Sequence, residues 1–315
     1  MLFRSPTFTG QAVTRPSYAW GQQQQSPQRF PRNRVTLTDS FLVTAGKHDL
    51  NIGGEWTTGI YKFDAHHNEG GLWTFTTDAP FDPANAATYP FQFTLRKSSN
   101  TLGVFEHPAT QLGGYVSDTY RVAPRWTVNM GVRWDFDTNL RDNAVIDKML
   151  DDPQFKGIER FVHRNRGNQY DAFQPRVGAT WDVRGNGTLV ARGGYGVYVT
   201  RDRQWFSVSS QHANYGSSVL IQGVNAMRCY PSIECVLGFA TAGTRTVQLI
   251  DDNYRFPYQR TASVGVGWQV TSTTSLDLDA VHSYMPNALG AADGNLPATG
   301  AISAANPRPV STDRK

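Results

Sequence analysis

Hydrophobic and polar positions alternate without a break between residues 126 and 136, and this pattern predicts one long β-strand. The apolar positions are Trp126, Val128, Met130, Val132, Trp134 and Phe136. Strand side chains alternate between two faces, so this strand has one apolar and one polar face. Eleven residues is the length that crosses a bilayer at a tilt, roughly 9 to 11 residues. Trp126 and Trp134 lie at opposite ends of the apolar face, as in the aromatic girdles of membrane barrels.

The same alternation recurs in segments that are paired by short turns. The four predicted hairpins span residues 35–60, 112–136, 176–198 and 262–284. The connections between them, 62–110, 138–172 and 199–256, are long and polar, with weak signs of a strand at Phe91–Lys97 and a helical turn at Ala144–Leu150. Such long loops are unusual in a globular domain. Short turns at one end and long loops at the other are typical of outer-membrane barrels.

The pattern therefore predicts an all-β chain, an antiparallel up-and-down transmembrane β-barrel with long extracellular loops. About eight to ten strands are predicted. Residues 1–32 are predicted as a loop-rich segment with one short strand near Thr7–Val13. Residues 33–284 form the barrel section, and residues 285–315 form a terminal loop.

The parity of each strand assigns side chains to the two faces. The predicted aromatic girdle contains Trp126, Trp181 and Trp268 near the short turns, and Trp56, Trp134 and Tyr195 near the long loops. The predicted lumen-facing charges are Arg133, Asp135, Arg176, Asp182, Arg192, Asp277 and Asp279. Salt bridges within a wet inner wall are the favoured interpretation of these charges. Asp39 and Asp118 fall on the apolar parity, and a β-bulge that shifts the parity by one residue is expected to explain them.

Composition excludes several other classes of protein. No apolar run reaches 18 residues, which excludes a helical membrane protein. The net charge is +4, but the 30 Lys and Arg residues are scattered, so nucleic-acid binding is not indicated. No nucleophile–base–acid order and no phosphate-binding loop appears, so neither an enzyme nor a cofactor is predicted. The first ten residues lack the apolar core of a signal peptide, so we expect the chain to be a fragment of a longer protein.

Two loop clusters were considered as sites. Asp64, His66, His67 and Glu69 carry metal-binding groups, but adjacent histidines of an extended chain project in different directions. A solvated loop is favoured there, and no metal site is assigned. Cys229 and Cys235 lie in the longest connection. A local disulfide at an oxidising cell surface is favoured over two free thiols.

Several of these segments resemble a known family. The run Gly113–Asp135, GGYVSDTYRVAPRWTVNMGVRWD, resembles the barrel of TonB-dependent receptors, especially the Oar-like group. Phe173–Val183, Ala191–Tyr198 and Asn253–Val266 are similar to later strands of that group, and Asp293–Gly300 is similar to its following extracellular segment. The resemblance extends over nearly the whole chain.

The resemblance implies a bacterial outer-membrane location and contact with membrane lipid. It also implies uptake of a scarce small solute by a 22-stranded barrel that encloses an N-terminal plug and is driven by the TonB system. Neither the plug nor a TonB-binding segment is recognised here, so we expect an internal section of such a barrel.

Two alternatives remain open from the residues alone. A complete small barrel, porin-like or adhesin-like, would close by pairing the strand that begins at Arg34 with the strand Ser275–Tyr284. A soluble β-sandwich with a binding function would bury Trp126, Trp134 and Trp268 under a second sheet.

Overall fold

The computed structural model describes residues 10–21, 28–66, 69–98, 104–201, 204–240 and 247–286. Strands dominate this part of the chain. In chain order they are β1 (Ala12–Thr14), β2 (Ala19–Gly21), β3 (Gln28–Arg29), β4 (Arg32–Ala45), β5 (His48–Ala65), β6 (Leu72–Phe75), β7 (Pro90–Ser98), β8 (Val104–Ala123), β9 (Trp126–Asp137), β10 (Ala172–Asp182), β11 (Leu189–Val199), β12 (Gly216–Gln222), β13 (Tyr258–Gln269) and β14 (Ser275–Tyr284).

The helices all lie in the long connections. They are α1 (Asn143–Asp151), α2 (Gln204–Tyr215), α3 (Val224–Met227) and α4 (Ile233–Leu237). Three single 3₁₀ turns cover Ala86–Thr88, Pro153–Phe155 and Ile158–Arg160. Among the described residues, no helix is both long enough and apolar enough to cross a membrane.

Nine strands form one antiparallel sheet in the order β14-β13-β11-β10-β9-β8-β5-β3, with β4 also paired to β5. The four predicted hairpins are confirmed as β4–β5, β8–β9, β10–β11 and β13–β14. The β5 and β8 strands extend beyond their predicted ends, to Ala65 and back to Val104. This pair of strands therefore projects past the neighbouring strands on the long-loop side.

The register divides the large sheet into two chemically different faces. On one face Trp126 pairs with Trp181, and their rings stack with centroids 5.2 Å apart. We call it the tryptophan face because it carries Trp56, Trp126, Trp134, Trp181 and Trp268, together with Tyr195. The opposite face, the charged face, carries the ionic side chains. Val264 on the tryptophan face is 62% exposed and Leu278 is 72% exposed, so the described residues place no second protein layer over this part of the face.

The expected bulges at Asp39 and Asp118 are wrong. Asp39 pairs with Gly54 in a continuous β4–β5 register, and Asp118 pairs with Met130 before the register shift that follows Arg121. Both carboxylates therefore belong to the tryptophan face. The Nδ1 atom of His48, the first residue after a two-residue turn, lies 2.6 Å from the Asp118 carboxylate. This contact gives the Asp118 charge a hydrogen-bonding partner at the short-turn end of the sheet.

A second sheet, in the order β12-β7-β6-β1-β2, forms from segments that are far apart in the sequence. Its core contains the fully buried rings of Trp73 and Phe93, with Val13 and Ile221 packed beside them. Residues 10–21, predicted as mostly loop, thus contribute two strands to it. We call this sheet together with α1–α4 the cap. The predicted strand at Phe91–Lys97 corresponds to β7, and the predicted helical turn corresponds to α1.

A disulfide joins Cys229 to Cys235 between α3 and α4 of the cap. Replacing both residues by serine removes this cross-link from the unfolded chain as well as from the folded one. We expect a loss of roughly 2 kcal/mol of local stability, seen as faster amide exchange in residues 216–237. Strand β9 in the same sample is the internal control. Equal exchange in residues 216–237 of both proteins would contradict a stabilising role.

Acid sensitivity of the cap is expected from Asp252, which lies in the connection before β13. Burial raises the pKa of Asp252, but hydrogen bonds from the His163 ring and backbone N–H, and the charge of Arg166, outweigh burial and hold the pKa below its ordinary 3.8. A carboxyl with a lowered folded-state pKa stabilises the fold above its unfolded pKa and loses that effect as the pH falls through the folded value.

We therefore expect the cap to weaken below about pH 4, and Asp252→Asn to show a smaller loss of stability between neutral pH and pH 3. Amide exchange of residues 143–166 measures this. Asp251→Asn is the control, because the Asp251 carboxylate accepts a bond from Asn253 N within its own turn. An identical acid response in all three proteins would show that Asp252 is not responsible.

Candidate functional site: the charged face of the barrel section

All seven predicted lumen-facing residues project from the charged face of the large sheet, on β9, β10, β11 and β14. The sequence could assign this face because parity is a local property of each strand. It could not assign partners, since these come from strands that are distant in the sequence. The contacts of these seven residues form three groups: a network around Asp135, an Arg192 ion pair that crosses a glycine, and separate local contacts of Arg176 and Asp182.

The first group is a partly buried ion-pair network, the inner network, made of Glu55, Arg133, Asp135, Gln174 and Arg201. Asp135 is 2% exposed, and its Oδ1 atom lies 2.9 Å from Nη2 of Arg133. The side-chain amide of Gln174 donates to Oδ2 of Asp135. A buried carboxylate needs several such partners to offset its lost hydration.

Glu55 on β5 and Arg201, just after β11, extend this network across the sheet. Nη2 of Arg201 lies 2.9 and 3.1 Å from the two Glu55 carboxylate oxygens. Nη2 of Arg133 lies 3.3 Å from Glu55, and Nη1 of Arg201 lies 3.6 Å from Asp135. The connection after β11 is therefore held against the charged face by two shared carboxylates.

Glycines allow long side chains to cross an intervening strand. A Cβ atom at Gly113 of β8 would lie 2.4 Å from Nη2 of Arg133, on its way from β9 to Glu55 of β5. Likewise, Arg192 of β11 passes over Gly265 of β13 and binds Asp279 of β14, with Nη2–Oδ2 at 2.6 Å. Asp277 also contacts Arg192, at 3.4 Å. The space above these glycines is thus filled by ion pairs.

Gly265→Val tests this crossing. A Cβ at this position would lie 1.9 Å from the Asp279 carboxylate, so we expect the Arg192–Asp279 pair to break. Because the pair is half exposed, its loss should cost little beyond the steric strain. The combined effect is measured as a lower urea midpoint in lipid vesicles. Gly178→Ala is the control, since its Cβ would meet only backbone, at 3.3 Å or more. Equal midpoints for the two variants would show that the crossing has no energetic role.

Arg176 and Asp182 do not form ion pairs with the inner network and make local contacts instead. The Arg176 guanidinium lies over the Tyr198 ring, 4.5 Å from its centroid. The Asp182 carboxylate accepts hydrogen bonds from the backbone N–H groups of Gly185 and Gly187, at 2.9 and 2.8 Å. Both glycines have positive φ. Asp182 therefore shapes the short turn and does not line the middle of the charged face.

Three members of the inner network were not among the predicted candidates. Glu55 lies on the polar parity of a predicted strand, so its parity was the available signal. Gln174 lies two residues before the predicted start of the third hairpin and was therefore not assigned to a face. Arg201 lies in a predicted loop, where no periodic pattern exists to place it. Its role depends on the path of the connection after β11.

In the loop cluster that was considered for metal binding, both ring nitrogens of His66 contact carboxylates. His66 places Nε2 3.0 Å from Asp64 and Nδ1 2.8 Å from Glu69. His67 lies outside the described residues. Within the part of the chain that the structure covers, no group of three or more His, Cys, Asp or Glu side chains is arranged to hold a metal ion.

Comparison with known proteins identifies the fold. The sequence profile of the outer membrane beta barrel domain family matches residues 3–314. The chain belongs to this family. The predicted barrel fold and outer-membrane location are therefore confirmed. In such a barrel we expect the apolar tryptophan face to meet lipid.

Solved structures with a similar fold include two other outer-membrane proteins. The outer membrane transporter YddB from Escherichia coli has a TM-score of 0.49 and 12% identity, covering 82% of this chain and 26% of YddB. The siderophore receptor PirA from Acinetobacter baumannii has a TM-score of 0.40 and 11% identity, covering 81% of this chain and 27% of PirA. The chain spans about a quarter of the length of either protein. No curated protein sequence shows significant similarity to it.

The two alternatives are decided by the edges and faces of the large sheet. Within the described residues, β4 pairs with β5 and β14 pairs with β13, and no pairing joins β4 to β14. The sheet is therefore open, as expected for part of a larger barrel. Trp126 is 42% exposed and Trp268 is 39% exposed, which excludes a sandwich that buries the whole face. Trp134 is half-buried, because its ring stacks with Phe136 and its Nε1 donates to the Tyr170 carbonyl.

Proposed function

We propose that this barrel section forms part of the wall of a TonB-dependent receptor that takes up a scarce solute. The observation that carries the proposal is the charged face. Its ionic side chains form pairs that cross glycine residues, and its central region is exposed. Such a face is suited to contact a hydrated plug. The resemblance of Gly113–Asp135 to TonB-dependent receptors supports the same function, as does membership of the outer-membrane barrel family.

The middle of the charged face carries small side chains, and no described residue packs over it. Gly178 and Gly194 lie opposite each other on β10 and β11, and Ser263 follows on β13 in the same row. Small side chains in a row leave backbone accessible to another segment of protein. A plug domain of the longer polypeptide is the partner that we propose for this row.

A matched pair of photo-crosslinking positions tests the proposal in the full-length protein in outer membranes. Benzoylphenylalanine at Ser263, on the charged face, should crosslink to a segment of the same polypeptide that precedes the barrel. The same group at the adjacent Val264 should crosslink to lipid. Lipid or solvent adducts from both positions would overturn the proposed plug contact.

A second measurement separates active uptake from passive passage. A plugged receptor should show no steady conductance in planar bilayers and should bind the periplasmic domain of TonB. A steady open conductance of the full-length protein, without TonB binding, would identify a passive pore and end the proposal.

We propose no catalytic role for the barrel section, and the geometry of one buried cluster supports this. Ser207, His107 and Asp142 are each at most 5% exposed and have the residue types of a hydrolase triad. However, the Ser207 hydroxyl donates to Asp142, and His107 lies 3.5 Å from the other oxygen of Asp142. The serine is therefore not activated by a histidine base, and the cluster joins α2 to the start of α1.

A further inference from the structure

We infer that the long-loop end of the charged face holds a binding site for an anionic solute that carries a flat ring. The site consists of Phe30, Arg32, Arg34, Tyr61 and Trp205, which we call the mouth patch. The inference deepens the proposed function by naming a solute class, and it rests on that function for its biological role. Its evidence is the combination of exposed rings and unpaired positive charge.

The mouth patch lies beyond the membrane. Tyr61 is five residues past Trp56 on β5, which is about 17 Å along the strand. It projects from the charged face, as does Arg32, which pairs with it in the register. Lipid accounts for the exposed rings of the tryptophan face, but it cannot account for exposed rings at this position.

Two buried rings support two exposed rings in the mouth patch. Tyr61 is 2% exposed, and Phe63 beneath the patch is 1% exposed. Phe30 stacks on Phe63 at 5.2 Å, and Trp205 of α2 meets both rings edge-on, at 5.1 Å from Phe63 and 5.5 Å from Phe30. Phe30 and Trp205 nevertheless remain 40% exposed. A packed base therefore fixes two aromatic surfaces that face water, which favours stacking with a planar ligand.

The charge beside these rings is positive and not neutralised locally. The Arg32 guanidinium lies over the Tyr61 ring, 4.5 Å from its centroid, and Arg34 follows on the same face of β4. Among the described residues, no ion pair includes Arg32 or Arg34, whereas Arg133, Arg192 and Arg201 on the same face are all paired with carboxylates. Guanidinium groups bind carboxylate, sulfate and phosphate oxygens through paired N–H donors. Rings and arginines together select a planar anion.

Probes of equal ring size and opposite charge test the mouth patch. We would measure binding of 2-naphthoate and 2-naphthylmethylamine to the full-length protein in nanodiscs by equilibrium dialysis, with empty nanodiscs subtracted. The naphthoate should bind at least tenfold more tightly than the amine. The double variant Arg32→Gln/Arg34→Gln should remove this difference, and Trp205→Leu should weaken both probes.

The matched control is Arg260→Gln. Arg260 also lies over a tyrosine ring, 5.4 Å from the Tyr258 centroid, but on the tryptophan face. Arg260→Gln should leave the affinities for naphthoate and for the amine unchanged. Equal binding of the two probes, or full naphthoate affinity in the double variant, would overturn the inference. The assay needs neither TonB nor an energised membrane, so this failure is distinct from failure of the proposed uptake function.

Discussion

An arginine at position 264 is expected to destabilise the membrane-embedded barrel by about 2–4 kcal/mol, the cost of this side chain at mid-depth on a lipid-facing strand. Val264 lies four residues from Trp268 on the tryptophan face and is 62% exposed. Its arginine head group would have to reach a distant interface or remain in hydrocarbon. Urea titration of the protein in lipid vesicles measures the loss of unfolding free energy.

Ser263→Arg is the matched control for this prediction. Ser263 is the preceding residue of β13, on the charged face beside Gly194, so an arginine there has both space and water. We expect a change below about 1 kcal/mol, which is typical of surface substitutions. A smaller loss for Val264→Arg than for Ser263→Arg would show that the two faces have been assigned the wrong way round.

The second large effect is expected from Asp135→Asn in the inner network. The substitution leaves Arg133 and Arg201 with one shared carboxylate, that of Glu55, in place of two. Asp135 is buried, but Glu55 keeps both arginines partly compensated, so we expect a loss of about 3 kcal/mol, at the low end for a broken buried pair. The same urea titration in vesicles measures it.

Asp279→Asn provides the comparison. Asp279 also receives an arginine on the charged face, but its side chain is 46% exposed and that of Arg192 is 41% exposed. Solvent screens such a pair, so the loss of stability should be clearly smaller than that of Asp135→Asn. Equal losses for the two variants would mean that the inner network contributes no more than a surface salt bridge.

The effect of Asp135→Asn should also reach the cap. Arg201 ties the start of the connection after β11 to the charged face, and α2 begins three residues later. Val208 of α2 packs against Tyr61, Phe63 and Phe105 on the projecting β5–β8 strand pair. Loosening Arg201 should therefore increase amide exchange in α2 more than in α1.

The hairpins could be predicted from the sequence because a period of two is set by neighbouring residues. The cap could not be predicted in the same way. Its β1 strand pairs in parallel with β6, and its β12 strand pairs with β7 more than a hundred residues away. Strands β1, β6 and β12 are short and carry no clear alternation of their own, whereas the longer β7 was predicted.

The candidate site was predicted in part for the same physical reason. Parity placed Arg133, Asp135 and Arg192 on the correct face, since each lies within a long regular strand. The capping role of Asp182 depends on the conformation of a turn, and the position of Arg201 depends on the path of a loop. A bulge was expected at Asp118 because a carboxylate fell on the apolar parity. The partner that satisfies it, His48, lies seventy residues away in the sequence.

Site-directed spin labelling along β13 tests most directly which medium meets the tryptophan face. Labels placed singly at residues 261–266 of the full-length protein in lipid vesicles should alternate. Positions 262, 264 and 266 should be accessible to oxygen and protected from a water-soluble nickel chelate. Positions 261, 263 and 265 should show the reverse. Uniform accessibility to the chelate, or oxygen-accessible labels at the odd positions, would contradict a lipid-facing tryptophan surface.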